Sequence, residues 1–94
     1  MNSFRVIWNH KALQQGIASI VLKLMEKGSA VSPINEAMLE IDVLLAKGPS
    51  ECGESRGPFE RVLIVLPLSV IYEVHEDGRI VYISGVRYSA KRKR

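Results

Sequence analysis

Ninety-four residues predict a single domain, residues 1–88, with a short basic tail at 89–94. Such a chain buries roughly 60–65% of its unfolded surface on folding, enough for one core and too little for a separate cofactor domain. Its 47% hydrophobic and 24% charged residues are ordinary for a folded chain and argue against disorder outside the termini. The net charge of +3 is unevenly placed: five of the 13 basic residues fall at 87–94 among no acids, and the other eight face ten acids. That asymmetry points to a polyanionic partner: RNA, DNA, the ribosome or an acidic protein.

Phe4-Arg5-Val6-Ile7-Trp8 alternates and predicts a short strand, with Asn9 as the N-cap of a following helix. Leu13, Ile17, Ile20, Val21 and Leu24 recur at spacings of three and four, one apolar stripe that Gly28 closes as C′ residue. Ser32-Pro33 predicts a cap and first position for a second helix. Its stripe is Ile34, Ala37, Met38, Ile41, Leu44 and Leu45, and Gly48-Pro49 ends it. The short linker predicts an antiparallel helical hairpin. Residues 48–58, rich in Gly, Pro, Ser and Glu, form a loop. Residues 59–66 are apolar on both faces apart from Glu60 and Arg61, the pattern of a strand buried on both sides. After Pro67, residues 68–76 and 79–88 are two further strands joined by a two-residue Asp77-Gly78 turn, and Gly85 marks a bulge or a close approach.

The order β-α-α-β-β-β predicts an α+β domain: a helical hairpin packed on a small, mostly antiparallel curved sheet. Its last three strands form a meander, and the first, reaching its neighbour by the helical crossover, lies parallel to one of them. No apolar run approaches the ~20 residues of a membrane span. Met1-Asn2-Ser3-Phe4-Arg5 has no signal-peptide pattern, and the single Cys52 excludes an internal disulfide; a cytoplasmic protein is expected. His10, His75 and Cys52 lie too far apart to suggest a metal site, and no cofactor is expected.

A strand, a helical hairpin, then Gly53-Glu54-Ser55-Arg56, Arg61, Pro67-Leu68-Ser69-Val70-Ile71-Tyr72-Glu73-Val74 and residues 81–87 together resemble the RelE/ParE superfamily of toxins. The resemblance spans nearly the whole chain and rests on the order of pieces, the length and the basic end. It implies the toxin of a type II toxin–antitoxin system, of the kind linked to growth inhibition and plasmid stabilisation, with a cognate antitoxin that wraps the helical hairpin and covers the basic face. One branch of the family cuts messenger RNA at the ribosome without a metal; the other poisons DNA gyrase. A relative that has lost toxicity and only binds a partner is a third reading.

For RNA cleavage the resemblance implies that Arg87 is the late arginine, Tyr88 the late aromatic or acid, Arg56 and Arg61 the earlier cations, and Glu54 or Glu51 the base. Such a set takes a proton from a 2′-OH, balances charge on the phosphorane and protonates the leaving oxygen. Ile64 or Leu66 stands where relatives carry a further cation, and no histidine lies near the C-terminus. The plain alternatives are that Arg61 pairs with Glu60 or Glu73 and that Tyr88 only packs. Lys91, Arg92, Lys93 and Arg94 are expected to bind nucleic acid or an acidic antitoxin segment.

Overall fold

Alternation in the first few residues does form a strand, β1 (Arg5–Trp8), in the computed structural model, which describes residues 3–89. The tail residues Lys91, Arg92, Lys93 and Arg94, expected to bind nucleic acid, lie outside the described residues. Asn9 caps the helix that follows: its Oδ1 accepts the Lys11 N–H at 2.7 Å, and its carbonyl accepts Leu13 N–H at 3.0 Å. The helix opens with a π-helical stretch (Ala12–Ile17) before settling into α1 (Ala18–Glu26). This corrects the predicted stripe. A π-turn brings residues five apart onto one face, so Ala12, not Leu13, shares the inner face with Ile17, and Leu13 is exposed.

Gly28 ends α1 as expected. Its φ of +73° is the left-handed conformation that glycine adopts at no steric cost. Gly28 N–H bonds Met25 C=O at 3.1 Å and Ser29 N–H bonds Leu24 C=O at 2.8 Å, a Schellman closure. Helix α2 (Ser32–Lys47) differs from expectation at its start. Val31 is the N-cap, no side chain caps it, and Ser32 and Pro33 lie inside the first turn. Its inner stripe is Ile34, Ala37, Ile41 and Leu45.

The loop after α2 contains an unforeseen two-residue strand, β2 (Glu54–Ser55). With β3 (Glu60–Val65), β4 (Leu68–His75) and β5 (Ile80–Tyr88) it makes a five-stranded sheet in the order β1-β5-β4-β3-β2. β1 runs parallel to β5, from Arg5 opposite Ile80 to Trp8 opposite Ile83, and the other pairs are antiparallel. The turn between β4 and β5 is longer than Asp77-Gly78 alone. His75 pairs with Ile80, so four residues span it, and the left-handed conformation falls on Arg79 (φ +53°). Arg79 is held there from two sides. Its carbonyl accepts Arg5 N–H at 2.8 Å, and its guanidinium lies 5.6 Å from the Phe4 ring centroid.

One face of the sheet carries the core. Leu63, Leu68, Val70, Tyr72, Val81 and Ile83 alternate onto that face and meet Ile34, Ala37, Ile41 and Leu45 of α2, Leu24 of α1 and Ala12. Trp8 Nε1 donates to Asp42 Oδ1 at 2.8 Å, tying β1 to α2. The other face is uncovered. Contrary to the expectation for residues 59–66, β3 is buried on one side only: Ile64 is 58% exposed and Leu66 just beyond it 51%.

Candidate functional site

Register decides which side chains reach the uncovered face. Glu60, Val62 and Ile64 of β3 stand opposite Glu73, Ile71 and Ser69 of β4. Across the next pair Ser69 meets Arg87 and Ile71 meets Gly85, whereas Tyr72 meets Ile83, leaving Ser84 as an extra residue. This is the bulge expected near Gly85. It reverses the phase of β5. Val81 and Ile83 before it face the helices, and so does Val86 after it, while Gly85 and Arg87 turn to the open face.

The result is a pocket of about 360 Å³ on the open face. Val62, Ile71 and Gly85 form its floor, and Arg56, Glu60, Ser69 and Arg87 its walls. Arg56 arrives by local pairing, since its N–H bonds the Glu60 carbonyl at 2.8 Å where β2 meets β3. Among the described residues neither Arg56 nor Arg87 is ion-paired with a carboxylate. Two guanidinium groups thus flank a shallow, partly apolar hollow that also holds one carboxylate and one hydroxyl. A guanidinium group can hold a phosphate through two parallel hydrogen bonds, and a carboxylate can exchange a proton.

Four of the predicted site candidates stand elsewhere. Arg61 faces the opposite side of β3 from Glu60 and Glu73, so it joins neither the pocket nor an ion pair with them. Its Nη2 lies 3.3 Å from both the Cys52 and Gly53 carbonyls, and its Nε is buried without a hydrogen-bond partner. Tyr88 follows Arg87 on a regular stretch of strand and points to the helix side, because the bulge precedes both residues. Glu54 pairs in register with Val62 at the exposed sheet edge, outside the pocket walls. Glu51 is exposed in the loop beside Gly48. Glu60 and Ser69 are the pocket residues that the motif reading passed over. Counting alternation outward from Leu63 would have placed Glu60 on the face opposite Arg61.

Arg61 belongs to a clasp that fixes the loop carrying Arg56. The Tyr72 hydroxyl, at the core end of β4, lies 2.8 Å from both the Pro49 and Cys52 carbonyls and donates to one at a time. Burial pushes its phenol above the ordinary value of 10.0, an effect that the neighbouring Arg61 guanidinium partly offsets. Gly53 (φ +76°) fits where nothing larger can: a Cβ there would sit 2.6 Å from the Tyr72 oxygen and 2.7 Å from the Val62 carbonyl. At the far end of the open face His75 Nε2 lies 3.2 Å from Glu73 Oε1, and its ring meets Tyr82 edge-on at 5.3 Å. Among the described residues no three His, Cys, Asp or Glu side chains gather as a metal site, and no helix is long and apolar enough to cross a membrane.

The fold superposes on a chain of the RelBE2 toxin–antitoxin complex from Mycobacterium tuberculosis with a TM-score of 0.70, covering 92% of this chain and 98% of that one. The fold is RelE-like. Sequence identity over that RelE-like fold is 13%, so the likeness is one of architecture. No protein-family model matches the chain, and no curated protein matches it significantly. The RelE-like fold accounts for two helices on one face of a mixed sheet and an open face opposite, where the arginine pocket lies.

Proposed function

We propose that this chain is the toxin of a toxin–antitoxin pair and cleaves messenger RNA at the ribosome, with the Arg56–Arg87 pocket as its phosphate-binding and cleavage site. The observation that carries the reading is the pair of guanidinium groups, free of carboxylate partners among the described residues, on either side of a hollow that holds Glu60. The fold shared with a chain of a toxin–antitoxin complex supports a cognate antitoxin as partner. A cytoplasmic site of action follows from a ribosomal target.

The chemistry needs no metal. Glu60 takes the proton from a 2′-OH, and the 2′ oxygen attacks the adjacent phosphorus. Arg56 and Arg87 hold the non-bridging oxygens as charge accumulates on the phosphorane. The P–O5′ bond breaks, leaving a 2′,3′-cyclic phosphate and a 5′-OH whose proton comes from water. Glu54, at the edge of the same sheet face, is the second carboxylate within this reading. Arg61 supports the loop, and Tyr88 has no part in proton transfer.

A second reading, binding to DNA gyrase without chemistry, is favoured by one observation: Tyr88, the expected acid, is turned away from the pocket. A non-toxic relative that only binds its partner remains the third. Translation in a cell-free extract separates them. The nuclease reading expects message cut within codons and no cutting by Arg87→Ala. Intact message with arrested growth and broken DNA would replace it by gyrase poisoning, and unimpaired growth by the non-toxic reading.

A further inference from the structure

A second hollow, of about 330 Å³, lies where β4 runs on past the start of β3. Val74, packed on the core, is its floor, and Phe59, Glu73 and His75 are its walls. It adjoins the arginine pocket, because Glu73 is the register partner of Glu60, which walls that pocket. Three observations set it apart from ordinary surface. Phe59 is 77% exposed, the most open large apolar side chain among the described residues, a ring left in water rather than folded onto the core. The exposed His75 ring is nonetheless held in place: Nε2 lies 3.2 Å from Glu73 Oε1, and Tyr82 meets the ring edge-on. Glu60 and Glu73 stand opposite each other across the strand pair, an arrangement of like charges that costs stability. His75 reaches one oxygen of Glu73, and the other has no hydrogen-bond partner among the described residues.

We propose that this hollow holds the nucleobase next to the phosphate bound by Arg56 and Arg87, and that Glu73 selects bases with an exocyclic amino group, cytosine or adenine, over uracil. The proposal rests on the RNA reading and adds to it the groups that read the base. Phe59 and His75 are flat aromatic side chains, and stacking on such rings is open to every base. Selection therefore falls to the carboxylate. The free oxygen of Glu73 accepts a hydrogen bond and has none to donate. It pairs with the amino N–H of cytosine or adenine and repels the O4 that uracil presents instead. Charge sorts the rest of the nucleotide. The hollow is lined by no lysine or arginine, so the phosphate is left to the guanidinium groups of the adjoining pocket. The volume, near the lower end of ligand pockets at about 300 Å³, suits one ring system.

The test is a titration of the ¹⁵N-labelled full chain with trinucleotides of cytidine, adenosine and uridine, each blocked against cleavage by 2′-O-methyl groups. The amides of Phe59, Glu73, Val74 and His75 should shift together with those of Arg56 and Arg87. Uridine should bind at least about fivefold more weakly than the other two, the low end of what a base contact discriminates. Glu73→Gln, whose amide both donates and accepts, should bring the three within about twofold of one another. Phe59→Ala should weaken all three alike, by about tenfold, since stacking tolerates every base. Phe59 is exposed, so its removal leaves the core intact. Arg87→Ala should weaken all three and keep their ratio. Shifts at Arg56 and Arg87 with none around His75, or uridine bound as tightly as cytidine by the unaltered protein, would overturn the proposal and leave the RNA reading standing. A folded Glu73→Gln protein that keeps the full preference would overturn it as well. No binding of any trinucleotide would overturn both.

Discussion

Two neighbouring residues, Glu60 and Arg61, have opposite fates, and the difference is a matter of parity along one strand. Glu60 reaches the pocket; Arg61 reaches the loop carbonyls behind it. Mutations should therefore separate them. Arg87→Ala and Glu60→Gln should each lower RNA cleavage by about 10²–10⁴-fold with little change in melting temperature, the range for a lost proton-transfer or charge-stabilising group. Arg61→Ala should instead lower stability, since it strips a hydrogen bond from the partly buried Cys52 carbonyl, a loss of about 1–3 kcal/mol. A chemical denaturation curve and a cleavage assay on the same three proteins check both halves. If Arg87 contacts one phosphate, its removal should also reduce the slope of log affinity against log salt by about 0.7 for single-stranded RNA. Tyr72 gives a pH prediction. Its phenol is raised in the fold and ordinary in the unfolded chain, so stability is level below pH 10.0 and falls as pH climbs above that value, where only the unfolded chain loses the proton. Tyr72→Phe should cost about 1–3 kcal/mol at neutral pH and flatten the alkaline decline seen by urea titration.

At the level of elements, β5 shows what periodicity can and cannot reveal. Its apolar residues keep strand spacing through Val81 and Ile83 and then change phase at Val86, and Gly85 was a visible cue for the bulge that absorbs the change. The meander, the parallel first strand and the Schellman stop at Gly28 were equally legible, because each depends on local turn chemistry or on a crossover rule. Three features were not. The π-stretch at Ala12–Ile17 leaves no pattern distinct from an ordinary helix, and Gly16 within it lies so near Val86 that an added Cβ would sit only 3.1 Å from the valine Cβ. β2 is two residues long and exists because Arg56 and Glu60 meet across a loop. The clasp on residues 48–53 joins Tyr72 and Arg61 to a loop distant in sequence, which no short window displays. The clasp is also the element most sensitive to substitution. Gly53→Ala should destabilise by more than about 1 kcal/mol through a left-handed φ combined with a clash against backbone. Release of β2 should carry Arg56 away from the pocket, so RNA affinity falls together with stability. Unchanged cleavage by a folded Gly53→Ala protein would show that the clasp does not position Arg56.

For the molecule as a whole, the two sheet faces divide the work. One is sealed by helices and carries the core; the other is open and carries cations over an apolar floor. The sealed face depends on a pairing between the ends of the chain, since Arg5 lies opposite Ile80. Closing a loop of that length costs about 4 kcal/mol in chain entropy, so β1 should join late, after the local meander has formed. Val6→Ala is expected to speed unfolding while leaving the refolding rate within about twofold; stopped-flow measurements across a urea range test this, and an equal slowing of refolding would place β1 in the folding nucleus instead.

That same end-to-end pairing has a bearing on synthesis. As the chain leaves a ribosome, the opening strand has no place to lie until residues 80–83, which it must flank, have followed it out of the exit tunnel. The finished sheet, and the open face with it, therefore takes shape only once both of these distant segments are free to meet.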